Sequence, residues 1–169
     1  HIGPPGFVAL AASEKNLLGK EWVQAVIGQS VYYRQLPLSE LNWTISRSFN
    51  ANLEAMRTGR VEPLEEFVRF ITTLRLEAGF PLPEVQKGFD AYRVVLTPKI
   101  LAPPNDRWAL PALEAVNACV SYQIQRFTEQ FQKMHEQAIR RYAEELEVLI
   151  DQRTRELAAS EQPYKTRVE

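Results

Sequence analysis

The sequence predicts an all-α protein: an antiparallel helical bundle followed by a long C-terminal helix that forms a dimeric coiled coil. Three observations predict it. Apolar residues recur at three- and four-residue steps between Gly and Pro breaks, the signature of amphipathic helices. No run alternates apolar and polar residues between turn dipeptides, so no sheet is expected. From Asp106 to Glu169 there is no glycine, and the only prolines are Pro111 and Pro163. A helix of that length exceeds what a domain this small can bury.

The first helix is expected from Phe7 to Tyr33, with Leu10, Leu17, Leu18, Trp22, Val26 and Ile27 on its apolar side. Gly19 and Gly28 are the places where it would divide in two. Pro37 breaks the chain, and Ser39 is placed to cap the next helix. That helix runs from Leu38 to Thr58. Leu41, Ile45, Phe49, Leu53 and Met56 form one stripe, and Gly59 supplies the left-handed residue that closes it.

A third helix begins near Pro63, with Glu65 and Glu66 at its positive end. It carries Leu64, Phe67, Val68, Ile71, Leu74 and Leu76, ends at Gly79, and lets Phe80 fold back over its last turn. Pro83 opens a fourth helix with Val85, Phe89, Tyr92, Val95 and Leu96 inward. Pro98 should kink or end it, because its ring clashes with an upstream carbonyl. Pro103-Pro104 closes the segment, and Asn105 or Asp106 is placed to cap the last helix. Trp108, Leu110, Leu113, Val116, Val120, Ile124, Phe127 and Phe131 stripe the first part of that helix. Short links between such helices imply antiparallel neighbours.

Past Phe131 the pattern changes. Ala143, Leu146, Ile150, Arg153, Leu157, Ser160 and Tyr164 alternate steps of three and four, a two-helix seam at period 3.5. Arg153 and Ser160 weaken that seam, which suits a coil that must shift rather than only hold. Upstream, Met134, Ala138, Tyr142 and Leu146 step by four, a phase change that alters supercoiling locally. The expected organisation is a helical bundle over 1–131, a coiled-coil signalling helix over 132–163, and the start of a further domain over 164–169.

Bulk properties exclude several classes. With 20 basic and 21 acidic residues among 169, the net charge of −1 gives no electrostatic reason to bind nucleic acid. No apolar run approaches the roughly 20 residues that span a bilayer. His1-Ile-Gly-Pro-Pro-Gly6 has neither the charged nor the apolar region of a signal peptide. Cys119 stands alone, so no internal disulfide forms, and a reducing, cytoplasmic setting is expected.

Two stretches carry a family likeness. Leu146 to Glu169, through Arg153-Thr-Arg-Glu-Leu157 and Ser160-Glu161 followed by Tyr164, resembles the connector that precedes a PAS domain in bacterial sensor histidine kinases. The resemblance implies that Tyr164 begins such a domain and that a kinase follows it in the same chain. Leu53 to Phe67, with Arg75-Leu-Glu-Ala-Gly79-Phe80-Pro-Leu82-Pro-Glu84-Val85, resembles the amino-terminal helical domain of the RsbT co-antagonist proteins of stressosomes. That resemblance covers roughly residues 38–101. It implies a sensory or scaffolding role, and a globin-like arrangement without haem as the rival to a plain bundle.

Chemistry is sparse. There is no Gly-rich phosphate loop, no Cys pair and no His-Glu-x-x-His, so no catalytic residue is assigned. His135 is preceded three residues back by Gln132 rather than Glu, unlike the di-metal bundles, so neither metal nor cofactor is expected. In Lys133-Met-His-Glu-Gln137 it reads as a solvated coil residue rather than a haem ligand. Cys119 reads as a small buried hydrophobe. Trp43, Phe89, Tyr92, Trp108, Asn117 and Tyr122 are the candidates for lining a ligand pocket, with Asn117 the odd polar residue on the last helix's apolar side. The dimer contact is assigned to Ala143, Leu146, Ile150, Arg153 and Leu157. The function expected is sensory input and dimerisation in a sensor kinase. The alternatives are a stressosome-type scaffold that binds a partner, and a globin-like small-molecule sensor.

Overall fold

The computed structural model describes residues 2–104 and 107–168, with side chains to residue 161. Its described residues hold seven helices and no strand: α1 (Pro5–Ser13), α2 (Lys15–Gln29), α3 (Val31–Arg34), α4 (Leu38–Thr58), α5 (Glu62–Glu77), α6 (Leu82–Leu101) and α7 (Ala109–Val168). The chain divides into two compact units, His1–Phe131 and Gln132–Glu169. The first unit holds a single core, to which α1–α7 all contribute, α3 through Tyr33.

The expected first helix is three. Its breaks fall at Glu14 and Ser30, while Gly19 and Gly28 lie inside α2. Ser30 leaves helical geometry (φ −140°, ψ 123°) and its hydroxyl accepts from the Tyr33 amide at 3.5 Å, capping α3. A capping serine therefore outweighs two glycines that cost only backbone entropy. Leu17 faces solvent, and Phe7, Ala11 and Val23 are buried with Leu18, Trp22 and Val26.

The helix α4 has the bounds expected of it, and Gly59 closes it in the left-handed region (φ 73°). Ser39 does not cap it. Pro37 occupies the cap position and no side chain bonds there. Gly79 (φ 76°) closes α5, where the Phe80 amide bonds back to the Arg75 carbonyl. Pro98 does not end α6, which continues to Leu101. Leu96 and Ile100 are fully buried on either side of it, so packing offsets the lost backbone bond. In α7, Leu110 faces solvent, and the buried line runs instead through Ala112, Ala115, Val116, Cys119, Val120, Gln123 and Phe127. The expected Asn105/Asp106 cap and the Tyr164 side chain lie outside the described residues.

Contacts fix the chain directions in the first unit. Arg75, near the end of α5, bonds Glu40 and Thr44 near the start of α4, so these two helices run antiparallel. Gln86 bonds Thr128, and Phe89 packs on Phe127 at 5.6 Å, tying the start of α6 to α7. The Trp22 indole donates to the Gly88 carbonyl at 2.9 Å and its ring lies 4.8 Å from Tyr92, joining α2 to α6. In the second unit, residues 135–161 are all exposed.

Candidate functional site

Two ladders run side by side along α4. Leu41, Ile45 and Phe49 form the apolar one. Glu40, Thr44, Ser48 and Asn52, also four residues apart, form a polar one, and its last three members are buried. Side chains four apart share a helix face, so this sequence turns a polar ridge inward. A buried polar group is tolerated only with partners. The ridge therefore dictates what must face it.

At one end the partner is Arg75. On α5, Phe67, Ile71 and Arg75 are also spaced by four, and the guanidinium takes the last place on that apolar stripe. It is 1% exposed. One Nη donates to Glu40 Oε1 at 2.7 Å and the other to Thr44 Oγ1 at 3.3 Å. Its carbon centre lies 5.4 Å from the Tyr33 ring and 5.1 Å from the Phe80 ring, within cation–π range. Glu40 is 28% exposed and so reaches water while holding the charge balance. At the other end, the Gln123 amide of α7 donates to Asn52 Oδ1 at 2.9 Å and to the Cys119 carbonyl at 3.0 Å, while Asn52 donates to the Ser48 carbonyl at 2.8 Å.

Between these ends lies a cavity of about 30 Å³, lined by residues of α2–α6 that include Arg75, Thr44, Ser48, Tyr33 and Gly88. The Ser48 hydroxyl and the Arg75 Nε–H have no hydrogen-bond partner among the described residues. Burial pushes the Tyr33 phenol up to about 12, even though the adjacent Arg75 charge works against that rise. A methyl group added at Gly88 would collide with the Tyr33 hydroxyl, so the absence of a side chain there gives Tyr33 its place.

The six expected pocket residues do not meet around one cavity. Phe89 lines the Arg75 cavity. Tyr92 is buried between Trp22 and Phe49, and its hydroxyl has no partner among the described residues. Trp43 is 52% exposed and stands edge-on to Phe70 at 5.4 Å, with Arg47 stacked 4.0 Å from the Phe70 ring. Trp108 packs against Phe7. Tyr122 donates to Glu65 at 2.6 Å. Asn117 is exposed, so the buried amides of this core are Asn52 and Gln123. Cys119 is buried, and that burial raises its thiol to about 11, far from thiolate chemistry at neutral pH.

Ala143, Leu146, Ile150, Arg153 and Leu157 all lie exposed in the second unit. Ile139, four residues before Ala143, extends their row and is 57% exposed. Arg153 reaches Glu156 at 3.8 Å. Among the described residues no group of His, Cys, Asp and Glu could hold a metal ion, and no helix is long and apolar enough to cross a membrane. No family model, curated protein or solved structure matches the chain.

Proposed function

We propose that the chain is the cytoplasmic input and dimerisation module of a signal-transduction protein, a two-component sensor histidine kinase. In this reading residues 1–131 form a helical bundle that receives the signal. The helix from residue 132 onward pairs with a second copy, and downstream PAS and kinase domains follow in the same chain. The segment itself performs no catalysis. The observation that carries the reading is the apolar row Ile139, Ala143, Leu146, Ile150 and Leu157, exposed along a helix with no core of its own. A lone helix in water is marginal, and a row of that period is stabilised by a partner helix. The antiparallel contacts of α4 with α5 support a bundle as the receiving body. The likeness of Arg153–Tyr164 to a kinase connector supports the output assigned.

A parallel pair of such helices transmits through a small change of register or crossing angle acting on a bistable element. Fusing the chain to a reporter kinase and inserting one to seven residues after Tyr142 tests this. Output that rises and falls with helical phase is the expected result. Output indifferent to phase would remove the transmission mechanism.

A further inference from the structure

We propose that the cleft between α2 and α4 is a binding site for a small organic phosphate monoester with a short apolar body. The cleft has a volume of about 320 Å³, and ligand sites commonly span roughly 300–1,000 Å³. On α2, Lys15, Gly19 and Val23 step by four and share one helix face, with Asn16 and Lys20 in the adjacent row. Asn42, Ser46 and Phe49 of α4 line the same space. Asn16, Lys20 and Asn42 are exposed, so the cleft opens to solvent, while the buried Val23, Ile45 and Phe49 form its floor. Gly19 makes the room. A glycine inside a helix is destabilising relative to alanine, and a methyl group at residue 19 would meet nothing within 4 Å. Packing therefore does not require a glycine there, and what its missing side chain leaves is open volume beside Lys15 and Val23.

Charge decides the class of ligand. The charged residues that line the cleft are both cations, Lys15 and Lys20. Neither forms an ion pair among the described residues. A phosphate monoester carries a charge of about −1.5 to −2 at neutral pH, which two lysines balance. Lysine meets phosphate as a point charge, and its flexible stem lets the ammonium swing onto an anion held in the cleft. A carboxylate is better matched by the planar fork of arginine, and no arginine lines this cleft among the described residues. The Asn16 and Asn42 amides and the Ser46 hydroxyl make no hydrogen bond among the described residues, so they are free to donate to the remaining phosphate oxygens. The apolar floor takes the organic body. This assignment is independent of whether the chain serves a kinase.

Titration of the whole chain with phenyl phosphate, benzoate, benzyl alcohol and inorganic phosphate, followed by nuclear magnetic resonance at the Gly19 and Ser46 backbone amides, tests it. Phenyl phosphate should give saturable shifts at both positions. The other three, each lacking the full charge or the apolar body, should bind about tenfold more weakly or worse. No described residue pairs with either ammonium, so Lys15→Gln/Lys20→Gln should fold normally and weaken phenyl phosphate binding about tenfold or more. Gly19→Leu places a side chain in the cleft and should abolish the shifts while Tm holds or rises. Three results would each overturn the proposal: no saturable shift with phenyl phosphate, any of the other probes binding as tightly, or unchanged affinity in either variant.

Discussion

Arg75 is the residue whose replacement is most informative. Truncation to Ala leaves Glu40 and Thr44 without their shared donor and opens space between Tyr33 and Phe80. Breaking a buried pair costs about 3–5 kcal/mol, and the partial exposure of Glu40 puts Arg75→Ala at the low end, about 3 kcal/mol by urea denaturation. Arg75→Met keeps most of the volume and should cost less. Tyr92→Phe should be neutral or stabilising by up to about 1 kcal/mol, because it deletes a buried hydroxyl with no partner among the described residues. The Cys119 thiol and the Tyr33 phenol, raised to about 11 and about 12, are neutral in the fold at pH values where they ionise in the unfolded chain. Their contribution is complete below the unfolded values of 9.0 and 10.0, and is lost as pH rises through the folded ones. Urea midpoints should therefore fall between about pH 9 and pH 12. Cys119→Ala should flatten the lower part of that fall, and Tyr33→Phe the upper. Sequence reading missed Arg75 and the Glu40–Asn52 ladder, although a signal was there, since Phe67, Ile71 and Arg75 share one spacing and so do Glu40, Thr44, Ser48 and Asn52. What the pattern did not reveal was that the two face each other, because that depends on how α5 packs on α4. Asn117 misled for the related reason that the buried face of α7 is centred on small residues, Ala112, Ala115 and Cys119, rather than on its large ones.

Helix boundaries were legible where backbone chemistry is decisive. Gly59 and Gly79 end helices with positive φ, and Gly79→Ala should cost about 1 kcal/mol from backbone strain alone, since its added methyl would meet nothing within 4 Å. The glycines inside α2 have the opposite sign. A methyl group at Gly19 or Gly28 also meets nothing within 4 Å, so either substitution by Ala should stabilise by about 0.5–1 kcal/mol, measured as a rise in Tm. Boundaries were illegible where tertiary burial competes with local preference. Pro98 was expected to disturb α6, yet Ile100 beyond it is fully buried and the helix continues. The break at Ser30 carries a serine cap that the nearby glycines overshadowed, whereas at Glu14 no side chain caps either helix.

At the scale of the whole molecule, the proposed function rests on association of two copies through the second unit. If the exposed row pairs with a second copy in parallel register, Arg153 among its apolar positions brings two cations together and holds the pairing below full strength. Arg153→Leu should tighten the dimer by roughly tenfold or more, the effect of about 1.4 kcal/mol. Ile150→Asp should break it while leaving the first unit folded, because residue 150 is exposed in the single chain. Sedimentation equilibrium of the chain and of Ile150→Asp over a range of concentrations tests this most directly. Association through the second unit makes the chain a dimer and the variant a monomer of 19.4 kDa. A monomer for both, or a dimer that survives the substitution, would contradict it.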